Sequence, residues 1–81
     1  MENLRVLSLQ ATDLDDEGLA KLSHLRRIRE LDLIGTSVTG VGMKHLYEMT
    51  KLRRVWLSRG NITRADVVAL SAQLPDLDVS Y

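Results

Sequence analysis

Two histidines, a run of four carboxylates, a column of arginines and a single tryptophan are the residues of this 81-residue chain best suited to chemistry. His24 and His45 could ligate a metal or act as a base, yet they occupy non-equivalent positions of the chain's internal repeat, so nothing in the pattern brings them together. Asp13, Asp15, Asp16 and Glu17 sit just before an apolar helical pattern. Carboxylates there satisfy free N–H groups and favour the helix dipole, which explains the run better than a metal site does. The serines have no histidine near them in sequence. Gly35, Gly40 and Gly42 lack the spacing of a phosphate cradle and read as turn and packing glycines. With no cysteine there is neither a disulfide framework nor a thiolate metal site, and a reducing compartment fits. Asn61-Ile-Thr63 matches a glycosylation sequon but has no secretory signal to support it. These residues lead us to expect a protein that is not an enzyme and has no cofactor and no metal.

Binding chemistry is better represented. Trp56 offers a large, stiff apolar surface with one hydrogen-bond donor, and tryptophan and arginine are the types most enriched at binding hot spots. Arg5, Arg29 and Arg53 recur at one constant interval, with Arg26, Arg27, Lys51 and Arg54 close by. Net charge is zero, but residues 1–25 carry five acids against two bases and residues 26–54 carry seven bases against three acids.

What these residues can do depends on the elements that hold them. Leu4-Arg-Val-Leu7-Ser-Leu9, Ile28-Arg-Glu-Leu31-Asp-Leu33 and Leu52-Arg-Arg-Val55-Trp-Leu57 follow one another at that same interval, and Leu14, Val38 and Ile62 keep it, as do Leu22, Leu46 and Leu70. A fixed period of this length is the mark of a solenoid. Within each unit the apolar spacing changes from two to three, so a strand gives way to a short helix. Asp15 and its neighbours open the first helix, Thr39 the second, and Thr63 the third, where Asp66 completes a capping box in place of the usual Glu. Pro75 ends the third helix.

The L-x-x-L-x-L strand motif and its period resemble the leucine-rich repeat family, and the resemblance covers nearly the whole chain. The segments Thr12-Asp-Leu14-Asp-Asp-Glu-Gly18-Leu19 and Thr36-Ser-Val38-Thr-Gly-Val-Gly42-Met43 are similar to the bacterial T-x-[VI]-x-D-x-G-[LM] variant, related to the cysteine-containing subfamily. That resemblance implies that Thr12 and Thr36 turn inward and bond the backbone of the turn. The third unit departs from it, with Gly60 in the threonine column and Asn61 beside it, so its turn is expected to be reshaped. The fold expected is α/β: a leucine-rich-repeat solenoid of about three and a half repeats in a single domain, 1–81, with a curved parallel sheet on the concave face and short helices on the convex face. The repeats are 4–27, 28–51 and 52–76, followed by a terminal strand, 77–81, in which Leu77 fills either the first or the fourth motif position.

Stacking in this way turns Val6, Ser8, Gln10, Glu30, Asp32, Ile34, Arg54, Trp56 and Ser58 outward. The resemblance implies protein recognition in general. Combined with the residue types it leads to a non-catalytic interaction module that binds a protein partner through the concave face, centred on Trp56, Arg54, Asp32 and Ile34. Glu30, Ser58, Arg59, Arg29 and Arg53 complete the expected partner-binding set. The plainer reading of Trp56 is a ring lying over Ile34 or an arginine stem and shielding the sheet. The arginine column likewise has two readings: an acidic partner, or simply exposed positions where arginine is soluble. Nucleic acid is not expected, given zero net charge, only three aromatic residues (Tyr47, Trp56 and Tyr81) and no nucleic-acid motif.

An alternative use lies at the N-terminal end. The first strand begins almost at Met1 with no capping helix, leaving one flank of Leu7, Leu9, Leu14 and Leu22 open, whereas Pro75, Asp76, Asp78 and Tyr81 look more like a finish. Either the array is longer or another chain covers that edge, which would make the protein a small structural subunit or scaffold, or a homo-oligomer through the N-terminal edge. No apolar run approaches membrane length and Met1-Glu-Asn-Leu4 leaves no room for a signal peptide, so the expected location is cytoplasmic, with no membrane partner.

Overall fold

The computed structural model describes residues 5–81, the side chain of Arg59 excepted. Leu4, expected to open the first strand motif, lies outside the described residues. Four three-residue strands, β1 (Val6–Ser8), β2 (Glu30–Asp32), β3 (Arg54–Trp56) and β4 (Asp78–Ser80), form one all-parallel sheet in the order β1-β2-β3-β4. The register pairs Leu7 with Leu31, Leu31 with Val55 and Val55 with Val79, the same step in sequence each time. The repeat length in sequence is thus the register length in the sheet.

Each strand leads into helical structure: α1 (Asp16–Leu22) after β1, a 3₁₀ helix (Gly42–Glu48) after β2, and a 3₁₀ turn (Arg59–Asn61) followed by α2 (Arg64–Gln73) after β3. α1 and α2 both pack on the 3₁₀ helix between them. The result is a small α/β structure of 31 × 28 × 18 Å. Alternation sends Leu31, Leu33, Val55 and Leu57 into one core with Leu19, Met43, Leu46 and Leu70, all of them buried. Burial is uneven from end to end. Leu31, Leu33, Val38 and Leu46 are at most 2% exposed, while their equivalents one repeat earlier, Leu7, Leu9, Leu14 and Leu22, are only half-buried.

The caps follow the residue types with one correction. Asp15 caps α1 by accepting from the Gly18 N–H at 2.9 Å. Thr63 and Asp66 form the reciprocal box at α2, Thr63 N–H donating to Asp66 Oδ2 at 3.0 Å and Asp66 N–H to Thr63 Oγ1 at 3.2 Å. Thr39 opens the second helix only in part: the helix begins at Gly42 behind Val41, which makes no side-chain cap, and one turn earlier Thr39 Oγ1 accepts from Val41 N–H at 3.3 Å and Thr39 O from Gly42 N–H at 3.0 Å. Thr39 also donates both its N–H (2.7 Å) and its hydroxyl (2.5 Å) to Asp16 on α1. Gly42 makes room, since a Cβ there would collide with the Asp16 carboxylate. The Thr39 hydroxyl thus donates to the charged acceptor of the neighbouring helix while its oxygen accepts locally from Val41 N–H. In this 3₁₀ helix Met43 and Leu46 are buried, as is Met49 just after it.

The turns after β1 and β2 bond as the threonine positions predict. Thr12 Oγ1 donates to Leu9 O and Thr36 Oγ1 to Leu33 O, each at 2.7 Å; Thr36 is buried as expected, whereas Thr12, expected to turn inward as well, is exposed because its unit lies at the less covered end of the sheet. In the third unit the 3₁₀ turn replaces this arrangement, and the Asn61 amide reaches back to Thr36 O at 3.3 Å.

Leu77 takes the first motif position of the last strand. Its N–H donates to Leu74 O at 3.0 Å, as Leu52 N–H does to Met49 O at 3.0 Å and Ile28 N–H to Leu25 O at 3.4 Å. Val79 nevertheless pairs with Val55, so one residue fewer separates first position and strand centre here than in the earlier units. Among the described residues β4 ends the sheet, and Tyr81 beyond it is 43% exposed.

Candidate functional site

The sheet's second side carries two rows of side chains. The first is Val6, Glu30, Arg54 and Asp78, and the second is Ser8, Asp32, Trp56 and Ser80. Neighbours in a row stand about 4.8 Å apart, the spacing of paired strands. Val6, Ser8, Arg54, Asp78 and Ser80 are exposed, and Glu30, Asp32 and Trp56 are half-buried. All-parallel sheets are normally covered on both faces. Among the described residues this one is covered on one face only.

Trp56 sits in the third strand of the open face with the Arg54 guanidinium 5.8 Å from its ring centroid. At that distance the cation and the ring attract. Arg54 is thus the arginine beside the ring, and Trp56 is also one wall of a shallow groove. The groove, about 440 Å³, is lined by Ile34, Trp56, Leu57, Ser58, Ser80 and Tyr81. Ile34 is 38% exposed and Tyr81 43%, so two large apolar side chains flank the indole at the C-terminal ends of the strands.

The other expected binding residues divide by what already holds them. Asp32 lies beside Trp56 in register, and its Oδ1 accepts from Ile34 N–H at 3.0 Å, which fixes the turn that presents Ile34. Glu30 lies beside Arg54. Ser58 ties the structure together, accepting from Gly35 N–H at 2.5 Å and donating to Leu33 O at 3.4 Å. Arg29 and Arg53 lie on the rim at the start of the strands, where Arg29 N–H donates to Arg5 O and Arg53 N–H to Arg29 O, each at 2.7 Å. The arginine column is thus realised, with all three side chains exposed. The next position in register is Leu77, and Asp78 N–H donates to Arg53 O at 2.8 Å. Arg53 turns its guanidinium towards Thr50 O and Leu52 O, both at 3.4 Å. The side chain of Arg59, expected beside Trp56, lies outside the described residues.

Sequence reasoning missed Asp78, Ser80 and Tyr81. Counting one further repeat on from Arg54 and Trp56 reaches Asp78 and Ser80, a signal obscured by the shortened approach from Leu77 to the strand. Asp78 changes the electrostatics of the site. Arg54 lies between Glu30 and Asp78, so the two rows together hold three carboxylates, those of Glu30, Asp32 and Asp78, against one guanidinium.

His24 is placed at the end of α1 with Nδ1 against Lys21 O, and His45 is half-buried on the 3₁₀ helix. Among the described residues no group of three or more His, Cys, Asp or Glu side chains is placed to hold a metal ion. No described helix is long and apolar enough to cross a membrane. No protein-family model matches the chain, and no curated protein is significantly similar to it.

Proposed function

We propose that this chain is a leucine-rich-repeat solenoid that acts as a non-catalytic interaction module and binds a protein partner through its open strand face. One observation carries the reading: Trp56 stands on the uncovered side of an all-parallel sheet, beside an apolar groove flanked by exposed Ile34 and Tyr81. An aromatic anchor in an apolar centre with charged groups around it has the make-up of a protein interface. Within the two rows carboxylates outnumber cations, three to one, which disfavours a phosphate backbone there. A cytoplasmic location goes with this reading, because the chain has no cysteine.

The test is affinity capture of polypeptides on the wild-type chain and on Trp56→Ala, with folding of both checked by circular dichroism. The reading requires a captured polypeptide whose affinity falls by about 2 kcal/mol or more in the variant. Equal capture by both chains would reject it.

The half-buried state of Leu7, Leu9, Leu14 and Leu22 favours a second reading, a structural subunit assembled through the β1 edge, which no described strand pairs. Light scattering over a tenfold concentration range separates the two. A stable monomer leaves the strand face as the binding surface, and a concentration-dependent dimer or larger species moves assembly ahead.

A further inference from the structure

The charge on the open face narrows the partner's chemistry. We infer that the bound segment places an apolar side chain in the groove between Ile34, Trp56 and Tyr81 and a cationic side chain, lysine or arginine, against the carboxylates of Asp32, Glu30 and Asp78. This rests on the face being the binding surface, as proposed above, and adds what it selects.

Three relationships support the assignment. Asp32 is the direct register neighbour of Trp56, so a carboxylate lies one strand spacing from the groove wall. Arg54 leans over the indole at 5.8 Å from its centroid, placing the one guanidinium of the two rows beside Trp56, between Glu30 and Asp78. One cation among three carboxylates leaves the two rows with an excess of negative charge. A partner that covers this surface strips water from those carboxylates. An acidic segment would add repulsion to the desolvation, and an uncharged one would leave the carboxylates unpaired, so a cation is the chemistry that discriminates in its own favour. The basic rim of Arg5, Arg29 and Arg53 lies at the opposite, N-terminal ends of the strands, away from the groove. An acidic partner suited to that rim would have to approach there rather than at Trp56.

The experiment is selection of displayed random dodecapeptides on the full chain at low salt, repeated on Trp56→Ala and on Asp32→Asn/Asp78→Asn. The Asn variant retains the Oδ1 that holds Ile34 N–H. If Trp56→Ala loses its fold by circular dichroism, Ile34→Lys, a substitution at an exposed position that puts a cation at the groove, replaces it. The inference predicts enriched peptides that pair an aromatic or large aliphatic residue with Lys or Arg within about two positions. It also predicts that they bind the groove variant and the Asn variant about tenfold or more weakly, and that the wild-type affinity falls with salt. Enriched peptides that need Trp56 but carry Asp or Glu, or no charge, beside the apolar residue would overturn this inference and leave the protein-binding reading standing. Peptides that bind wild type and groove variant alike, or no enrichment over an unrelated protein, would overturn both.

Discussion

Arg54 holds its guanidinium 5.8 Å from the centre of the Trp56 ring, two residues along the same strand on the same open face. The pair joins the polar row to the apolar groove. It also explains how a tryptophan remains on an uncovered sheet: one part of the indole is screened by a cation and another lines the groove with Ile34 and Tyr81. Replacing Arg54 by Ala is expected to lower stability by less than about 1 kcal/mol, the range of exposed cation–π pairs, and to shift the emission of Trp56. Trp56 is the only tryptophan, so fluorescence reads the pair directly.

Asp16 and Thr39 couple the first helix to the loop of the next unit by two hydrogen bonds, at 2.7 and 2.5 Å. Asp16→Ala should cost about 2 kcal/mol, because charge-assisted bonds are lost and the Thr39 N–H loses its acceptor. Gly42→Ala should destabilise by a similar amount through collision with the Asp16 carboxylate. The two losses should not add in the double variant, since removing Asp16 removes the obstacle. Chemical denaturation of the four chains of this cycle measures the coupling.

Ala11 and Gly35 occupy equivalent positions of successive repeats, and both lie in the left-handed region, with φ of 59° and 77°. Gly35→Ala is expected to destabilise by more than about 1 kcal/mol, because it adds the left-handed penalty and brings a Cβ to 3.0 Å from Ala11 N. Ala11→Gly should be neutral or stabilising by about 0.5 kcal/mol, the relief of the same penalty set against glycine's greater freedom when unfolded. Opposite signs at equivalent positions are the outcome to look for in thermal melts.

Leu31 is fully buried, while its equivalent Leu7 is half-buried in β1, the outer strand of the sheet among the described residues. Leu31→Ala should therefore lose about 3 kcal/mol and Leu7→Ala less than half of that. Equal losses by denaturant titration would mean that the β1 flank is covered in solution.

The sheet was the most legible part of the sequence, because a strand exposes its period in every second side chain and the constant repeat interval carries Leu7 to Leu31 and Val55. Thr63 and Asp66 were legible for a related reason: capping is local, and both partners lie within one turn of the helix start. The bond of Thr39 to Asp16 was not legible, because Asp16 belongs to the preceding repeat, and only the packing of one unit on the next brings them together. Ser58 looked like a surface residue for the same reason, its bonds to Gly35 and Leu33 being made across units. At the site, Trp56, Arg54, Asp32 and Ile34 were found by type and alternation alone. Asp78, Ser80 and Tyr81 were not, since the last unit reaches its strand from Leu77 by a path one residue shorter, and with Asp78 a third carboxylate of the two rows was missed.

The most direct test of the central claim is a titration of the full chain with a peptide from the selection described above, followed in parallel by Trp56 emission and by calorimetry. If the strand face binds the partner, the emission shifts and saturates at the same midpoint as the heat, and Ile34→Lys weakens both together. Saturating heat with no change in Trp56 emission would place binding elsewhere on the molecule and contradict the account.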